Sequence, residues 1–241
     1  MAGLTHPNLV VLTGAGLSAE SGVPTFRGVD GLWEGYQIEE VASPDAFRRT
    51  PELVHRFYNL RRAALHTVEP NPAHQALARL EQGWPGSFLH VTQNVDDLNE
   101  RAGAQKLCHM HGELRKVRCL WCRNVMPWEA DLDCSTACPI CEKAGKMRPD
   151  IVWFGEIPYY IEEITQALET VDIFICIGTS GVVYPAAGFA RQAASKGAKR
   201  LIEINLESTE ISSHFTERRA GSASVEVPRL VDELLAGAEA L

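Results

Sequence analysis

Four of the seven cysteines in this 241-residue sequence are spaced as ligands of one metal ion. Cys119 and Cys122 form one C-x-x-C pair, and Cys138 and Cys141 form a second pair after 15 intervening residues. Two such pairs place four thiolates around a tetrahedral Zn²⁺ ion, and four sulfur ligands leave no open position for a catalytic water. We therefore predict a structural zinc site. Cys134 lies close to the second pair, but the paired spacing favours the other four cysteines as ligands.

A glycine-rich turn after the first apolar run of the sequence is a candidate phosphate-binding loop. Gly14, Ala15 and Gly16 follow the run Leu-Val-Val-Leu-Thr, which ends at Thr13. Glycine at such a turn lets the backbone approach a pyrophosphate at the N-terminus of the next helix. The usual third glycine is replaced by Ala19, so a plain packing turn stays open as an alternative.

Polar or small residues also follow three later apolar runs. Residues 93–96 (Gln-Asn-Val-Asp) follow the second run, residues 178–180 (Gly-Thr-Ser) follow the third, and Asn205 and Glu207 follow the fourth. Ligands bind at the carboxyl ends of parallel strands, so the four run ends together favour a nucleotide site. For residues 93–96 alone, a hydrogen-bonded turn is the alternative.

Two histidines, His109 and His111, are candidate general bases because they are separated by a single residue. On an extended segment the two rings would share one face. A histidine titrates near neutral pH and can therefore accept a proton during a reaction. The pattern leaves open which of the two is catalytic, or whether either is.

These motifs need a scaffold that brings them together. Near-continuous apolar runs that alternate with helical patterns predict an α/β fold, with a parallel sheet covered on both faces. We predict strands over residues 9–13, 87–92, 171–177 and 200–205. We predict helices over residues 52–67, 72–82, 160–170 and 228–240, with Pro228 in the first turn of the last one. Segments near 36–70 and 113–148 do not fit this pattern and are expected to form a smaller domain.

The charge balance limits the classes of partner. The sequence has 23 Lys and Arg against 31 Asp and Glu, a formal net charge of −8. Nucleic-acid binding through bulk charge and docking on anionic lipid both need a basic surface, so neither is expected. The apolar runs are far shorter than a bilayer span requires, and the N-terminus lacks an export signal. We therefore expect a cytoplasmic protein with no membrane or direct nucleic-acid partner.

The motifs, taken in order, resemble the sirtuins, the NAD-dependent protein lysine deacylases. The resemblance covers nearly the whole chain. It rests on residues 14–28 (GAGLSAESGVPTFRG), 93–96 (QNVD), 111–112 (HG), 148–156 (RPDIVWFGE) and 178–180 (GTS), together with the four paired cysteines. At Asn99 the sequence departs from the family, which has histidine there, and any role of that histidine is in doubt.

The resemblance implies an α/β architecture of two parts, with the active site in the cleft between them. A Rossmann-like, NAD-binding domain with a parallel sheet would be formed by residues 1–35, 84–112 and 149–241. The smaller part would combine a helical module, residues 36–83, with a zinc-ribbon module, residues 113–148. NAD would be a co-substrate and zinc a structural ion.

The resemblance also implies roles for individual residues. His111 is expected to be the catalytic base, with Asn94 and Asp96 beside the nicotinamide and its ribose. The expected cofactor-binding residues are Gly14, Ala15, Gly16, Ser18, Phe26, Arg27, Trp33, Gln93, Asn94, Asp96, Gly178, Thr179, Ser180, Asn205, Leu206, Glu207 and Ala223. The acylated peptide is expected to bind as an added strand. Its expected contacts are Val152, Phe154, Gly155, Val183 and Tyr184.

A finer resemblance concerns the acyl group. Tyr58 and Arg61 are similar to the Tyr-x-x-Arg pair of class III sirtuins, which prefer acidic acyl groups. Residues at i and i+3 share a helix face, and arginine is suited to bidentate carboxylate binding. The alternative is a solvated helix face, because arginines are plentiful in this segment.

The expected function is that of an NAD-dependent protein lysine deacylase. It would remove acetyl, succinyl or malonyl groups and release nicotinamide and O-acyl-ADP-ribose. Its partners would be proteins that carry acylated lysines. Two alternatives are an NAD-dependent protein ADP-ribosyltransferase and a non-enzymatic NAD sensor. The sequence does not define the oligomeric state, and a monomer is the default expectation.

Overall fold

The computed structural model describes residues 6–25 and 35–239. Within these ranges the strands are β1 (Leu9–Thr13), β2 (Phe88–Thr92), β3 (Leu107–His109), β4 (Gly112–Cys119), β5 (Val125–Pro127), β6 (Met147–Ile151), β7 (Ile173–Ile177), β8 (Arg200–Asn205) and β9 (Glu217–Ala220). The α-helices are α1 (Ile38–Val41), α2 (Pro44–Arg49), α3 (Pro51–Ala64), α4 (Pro72–Gly83), α5 (Leu98–Arg101), α6 (Ile161–Leu168), α7 (Phe189–Ser195) and α8 (Ala223–Glu239).

Six strands form a parallel sheet in the order β3-β2-β1-β7-β8-β9. Its four central strands are those predicted from the apolar runs, so the predicted Rossmann-like sheet is confirmed. The edge strands β3 and β9 were not predicted. Strand β3 has only three residues, and β9 has the sequence Glu-Arg-Arg-Ala, which contains no apolar run.

Both faces of the sheet are covered, as the continuous apolar strands require. Alternate residues of β1 point to opposite faces: Val11 packs in one cluster and Leu12 in the other. The first cluster joins the sheet to α4 and α8, and the second joins it to α6 and α7.

Helix α8 begins five residues before the predicted start, which places Pro228 inside the helix. The start is set by Glu20, whose carboxylate accepts hydrogen bonds from the backbone N–H and the hydroxyl of Ser224, each at 2.9 Å. Glu20 and Ser224 are 204 positions apart in the chain. Local sequence signals therefore could not reveal this helix cap.

Most of the remaining elements lie in the segments predicted for the smaller part, although β6 extends past the predicted boundary at residue 148 to Ile151. Strands β5, β4 and β6 form an antiparallel sheet with its own apolar cluster around Val117, Leu132 and Met147. Helices α1 to α3 pack around Phe57 and Trp153. The division of the chain into separate domains stays a prediction. Among the described residues, no helix combines the length and the apolar character that a bilayer crossing needs.

Candidate active site

A cleft of about 750 Å³ opens at the carboxyl ends of β1, β2, β7 and β8. Parallel strands present their binding edge at this end, so four separate segments of sequence converge there. Most of the predicted site residues line this one cleft. They are Gly14, Ala15, Gly16, Tyr58, Arg61, Gln93, Asn94, Asp96, His111, Val152, Phe154, Gly155, Gly178, Thr179, Ser180, Val183, Tyr184, Asn205, Leu206, Glu207 and Ala223.

Four of the predicted cofactor-binding residues are not among those that line the cleft. Phe26, Arg27 and Trp33 lie outside the described residues. Ser18 is fully buried and does not line the cleft, so its expected contact with the cofactor stays a prediction. Sequence reasoning in turn missed Glu20, Trp153, Ser208, Thr209, Glu210 and Ser222, which do line it. Glu20 and Trp153 lie within the motifs of residues 14–28 and 148–156. Residues 208–210 follow β8 and Ser222 follows β9, and neither segment has a recognisable motif.

The glycine loops after β1 and β7 pack directly against each other. The backbone N–H of Gly16 donates to the carbonyl of Gly178 at 2.8 Å. A Cβ atom added at Gly16 would lie 2.6 Å from the Cα of Gly178. Gly178 also has a φ of +62°, in the left-handed region that favours glycine. Close packing therefore accounts for these glycines without excluding the predicted phosphate-binding role, because the packed loops also line the cleft.

A buried hydrogen-bond network holds the polar residues after β2. The Asn71 N–H donates to His74 Nδ1 at 3.2 Å, so Nε2 carries the proton and donates to Ser18 Oγ at 3.3 Å. Asn94 Nδ2 donates to the same hydroxyl at 3.1 Å. The hydroxyl proton of Ser18 is then available for Asp96, to which it hydrogen-bonds. Ser18 therefore positions Asn94 and Asp96.

Asp96 is nearly inaccessible to solvent, at 3% exposure. Burial raises the pKa of its carboxyl group, while hydrogen bonds from the Leu98 N–H and from Ser18 oppose the shift. Its Oδ1 accepts from the Leu98 N–H at 3.2 Å. Asp96 is therefore a fixed hydrogen-bonding group at the cleft wall, and its pKa is shifted toward the neutral range.

His111 lines the cleft from the turn between β3 and β4. Its Nδ1 lies 3.2 Å from the carbonyl oxygen of Gln93. Since a carbonyl oxygen only accepts hydrogen bonds, Nδ1 carries the ring proton and Nε2 is the unprotonated nitrogen. Burial lowers the pKa of His111 to about 4, although the hydrogen bond to the Gln93 carbonyl acts in the opposite direction. The ring is thus neutral near pH 7 and can accept a proton.

His109 lies behind the cleft wall, between two acceptors. Its Nδ1 is 3.0 Å from the carbonyl oxygen of Asn94, and its Nε2 is 2.6 Å from a carboxylate oxygen of Glu100. Burial disfavours a charged ring, but the hydrogen bond and negative charge of Glu100 raise the pKa of His109. Both ring nitrogens donate, so His109 is a charged support for Asn94. Of the two histidines, His111 is the one that faces the cleft.

Tyr58 and Arg61 line the same cleft from helix α3. Their exposures are 0% and 7%, so the alternative of a solvated helix face is wrong. The Tyr58 hydroxyl accepts a hydrogen bond from Trp153 Nε1 at 2.9 Å, and the Arg61 guanidinium lies 5.5 Å from the ring centre of Phe57. Burial raises the pKa of the Tyr58 phenol, which is therefore neutral.

The segment after β6 is folded into the cleft wall by a buried ion pair. The Arg148 guanidinium donates to both carboxylate oxygens of Glu156, at 2.7 and 2.9 Å, and lies 3.3 Å from the ring centre of Trp153. The Val152 N–H donates to the carbonyl of His111 at 2.9 Å. These contacts fix the backbone from which Val152 and Phe154 line the cleft.

The loops after β7 and β8 are joined through Asn205. Its Nδ2 donates to the carbonyl of Thr179 at 2.8 Å, and its Oδ1 accepts from the Leu206 N–H at 3.0 Å. The Thr179 hydroxyl accepts from Gln93 Nε2 at 2.9 Å. The Asn205 side chain therefore holds these loops together, and Leu206 is left 69% exposed.

A model of the Sir2 family matches residues 14–185, which is more than half of the chain. The chain is a member of the Sir2 family. A relative from Bdellovibrio bacteriovorus is 58% identical over 230 residues, covering 95% of this chain and 97% of its own length. One from Escherichia coli K12 is 50% identical over 239 residues, covering 98% and 85%. Both are called NAD-dependent protein deacylases.

Solved structures of Sir2 proteins share the fold. A Sir2 homologue in complex with NAD has a TM-score of 0.86 and 40% identity, covering 95% of this chain and 90% of that one. A mutant homologue in complex with ADP-ribose has a TM-score of 0.87 and 40% identity, covering 97% and 93%. The predicted family is therefore confirmed, and NAD is the co-substrate of this Sir2 protein, as predicted.

The four paired cysteines of this Sir2 protein fit a zinc ion. The Sγ atoms of Cys119 and Cys141 are 3.7 Å apart, as are those of Cys122 and Cys138, and all four lie within 4.8 Å of one another. Zn–S bonds of about 2.3 Å in a tetrahedron require sulfurs about 3.8 Å apart. Cys134 is not part of this group, and its thiol lies 3.4 Å from Glu52 Oε1.

Proposed function

We propose that this Sir2 protein removes both acetyl and acidic acyl groups, such as succinyl and malonyl, from protein lysines. The products would be the free lysine, nicotinamide and O-acyl-ADP-ribose. Relatives called NAD-dependent protein deacylases support the general activity. The acyl range is supported by one observation above all: Tyr58 and Arg61 are buried in the same cleft as His111.

The sheet end of the cleft suits the dinucleotide. The packed glycine loops after β1 and β7 leave backbone exposed to a pyrophosphate, which needs close approach without side chains. Leu206 and Glu207 would contact the adenosine, and Asn94 and Asp96 would hold the nicotinamide and its ribose. In this arrangement His109, Ser18 and His74 keep the nicotinamide-binding groups in place from behind.

The chemistry proposed for NAD⁺ is to supply the ribose carbon that takes up the acyl oxygen as nicotinamide leaves. His111 acts as general base on a ribose hydroxyl, which then attacks the acyl carbon, and water completes the release of the free lysine and the O-acyl-ADP-ribose. The geometry supports this role because Nδ1 is committed to Gln93 and Nε2 is unprotonated. Two structural neighbours add support for the product, since they hold 2'-O-acetyl ADP-ribose and 3'-O-acetyl ADP-ribose.

Tyr58 and Arg61 would form a clamp for the carboxylate of an acidic acyl group. The Arg61 guanidinium is nearly buried in the cleft, and a carboxylate can accept two parallel hydrogen bonds from a guanidinium. The neutral phenol of Tyr58 can donate a third. An acetyl group is short and does not need the clamp, so we expect it to be accepted as well.

The acylated peptide would lie between the segment that contains Val152, Phe154 and Gly155 and the loop that contains Val183 and Tyr184. Both segments line the cleft, and an extended peptide between them could pair with their backbones. Backbone pairing depends weakly on side chains, so the proposal predicts many protein substrates. The structure brings these residues to one cleft mouth, which supports the arrangement.

The deciding experiment compares acetyl-lysine and succinyl-lysine peptides of one sequence, with and without NAD⁺. We expect nicotinamide release and a deacylated peptide in both cases, dependent on NAD⁺. Radiolabelled NAD⁺ should place its label on a small acyl ester. Label on protein would favour an ADP-ribosyltransferase, and no nicotinamide release would favour an NAD sensor.

A further inference from the structure

Helix α3 is tied to the zinc-binding part of the chain by a set of partly buried hydrogen bonds. Asn59 Nδ2 donates to the carbonyl of Leu132 at 2.8 Å, and the Leu132 N–H donates back to Asn59 Oδ1 at 3.0 Å. Arg62 is 1% exposed and donates from Nη1 to Asn59 Oδ1 at 3.0 Å and to the carbonyl of Ala130 at 3.2 Å. We call these four residues, Asn59, Arg62, Ala130 and Leu132, the α3 latch.

Leu132 connects the latch to the metal site. Its side chain is 2% exposed and packs in the cluster that contains Cys119 and Cys138. One residue therefore shares an apolar cluster with two of the four paired cysteines and gives both of its backbone polar groups to Asn59. Any loosening of the cysteine cluster would reach α3 through these two hydrogen bonds.

The latch and the acyl clamp occupy neighbouring faces of one helix. With 3.6 residues per turn, Asn59 and Arg62 project about 100° around the axis from Tyr58 and Arg61. Arg62 Nε also donates to the carbonyl of Leu114, a cleft-lining residue, at 2.8 Å. The latch consequently fixes the rotation of α3, and that rotation determines where the Tyr58 hydroxyl and the Arg61 guanidinium lie.

We propose that Asn59 is a positioning residue for acyl-group selection, and that zinc loading controls this selection through the α3 latch. The inference rests on the proposed carboxylate clamp. Loss of the latch lets α3 turn or shift. This movement would misplace the bidentate contact between Arg61 and the acyl carboxylate, whereas the other cleft-lining segments would stay in place. Succinyl-lysine should therefore suffer and acetyl-lysine should not.

The first test is steady-state kinetics of the zinc-loaded Asn59→Ala protein. Loss of the Leu132 bonds should raise KM for a succinyl-lysine peptide about tenfold, with KM for the acetyl-lysine peptide within about twofold of wild type. Leu60→Ala is the matched control, because Leu60 is the next residue of α3 and is 64% exposed. Equal losses on both peptides would mean a merely structural role and would overturn the proposal.

A double-mutant cycle separates this inference from the proposed clamp. If Asn59 acts through Arg61, Asn59→Ala should not change the succinyl-to-acetyl ratio further in an Arg61→Met background. A full additional change would contradict the inference. If Arg61→Met alone fails to separate the two peptides, the clamp itself is wrong, whatever Asn59 does.

The role of zinc is tested by hydrogen–deuterium exchange, which does not depend on activity. Chelation of the wild-type protein should speed exchange in the α3 segment, residues 51–64. Asn59→Ala should show fast α3 exchange already with zinc bound, while residues 119–141 stay protected. Unchanged α3 exchange after chelation of the wild-type protein would overturn the link.

Discussion

His109 and His111 are two residues apart, yet their surroundings shift their pKa values in opposite directions. Burial lowers the pKa of His111 despite its bond to the Gln93 carbonyl, whereas the hydrogen bond and negative charge of Glu100 raise the pKa of His109 despite burial. The residue types and their spacing could be predicted to matter. The spacing alone did not show which ring faces the cleft, because that depends on Gln93, Asn94 and Glu100, which other segments bring to the two rings. The resemblance to the sirtuins is what identified His111.

Replacing His111 with alanine tests the base directly. Removing a general base should lower kcat by about 100- to 10,000-fold. Affinity for NAD⁺, measured by calorimetry, should stay close to wild type, because Asn94, Asp96 and the glycine loops remain. Normal turnover by His111→Ala would exclude this residue as the base.

The pH dependence of kcat/KM gives a second test of His111. The folded-state pKa is lowered to about 4, so the ring stays unprotonated as the pH falls from 8 to about 5. Protonation of His111 should therefore cause no fall in kcat/KM near pH 6.5, the ordinary pKa of histidine. We expect kcat/KM to fall only below pH 5. The profile should be recorded with acetyl-lysine peptide, with activity rechecked after return to pH 7.5. A fall in kcat/KM near pH 6.5 would contradict the assignment.

Arg61→Met should discriminate between acyl groups. Loss of a charge-assisted pair costs about 2 to 3 kcal/mol, which corresponds to an increase in KM of roughly 30- to 150-fold for succinyl-lysine. KM for acetyl-lysine should change little. The two KM values are measured on peptides of one sequence. Equal effects on both peptides would reject the carboxylate clamp.

At the scale of elements, the central observation is that two glycine loops pack against each other. The sequence showed glycines after two apolar runs, but it could not show that these loops touch. Gly14, Gly16 and Gly178 meet because β1 and β7 are neighbours in the sheet, although they are far apart in the chain. The same limit applies to α8, whose start depends on the distant Glu20.

Gly16→Ala should separate the two loops. Its new Cβ would lie 2.6 Å from the Gly178 backbone, and overpacking of this kind costs about 1 to 3 kcal/mol. We expect the Kd for NAD⁺, measured by calorimetry, to rise about tenfold or more. Gly237→Ala is the control, because a Cβ there meets nothing within 4 Å. Unchanged affinity in Gly16→Ala would show that the loops adapt to the added methyl group.

For the whole molecule, apolar runs predicted the four central strands, and motifs predicted the family, the α/β fold and most residues of the cleft. Strand β9 was not predicted because its side chains join the sheet through ion pairs and not through an apolar run. Arg218 pairs with the buried Glu203 at 3.1 Å, and Glu217 pairs with Arg200 at 2.7 Å. Such pairing replaces the apolar pattern by which a strand is recognised from sequence.

The buried histidines should make stability depend on pH. Burial lowers the pKa of His74 and His111 to about 4 and that of His90 to about 3, so between these values and 6.5 the unfolded chain binds more protons. The contribution of these histidines to the free energy of unfolding is fully present above pH 6.5 and is lost as the pH falls toward their folded-state pKa values. His109 has the opposite effect: its pKa is raised in the folded protein, so its contribution to the free energy of unfolding increases as the pH falls.

Urea unfolding at several pH values between 5 and 7.5 should therefore show a decrease in the free energy of unfolding on the acid side. Each such histidine adds a slope of at most about 1.4 kcal/mol per pH unit. His90→Gln should reduce this slope by the contribution of one histidine. Stability that does not change over this range would contradict the buried, neutral state of these rings.

The position of β1 within the sheet has a consequence for synthesis. β1 pairs with β2 on one side and with β7 on the other. Leu9 of β1 pairs with Ile173 of β7, which lies 164 residues later in the chain. A chain emerging from the ribosome therefore carries a strand with one open edge until more than two thirds of its length has been made. Open strand edges recruit foreign strands. During this interval the nascent protein is most exposed to misassembly and most dependent on protection by chaperones.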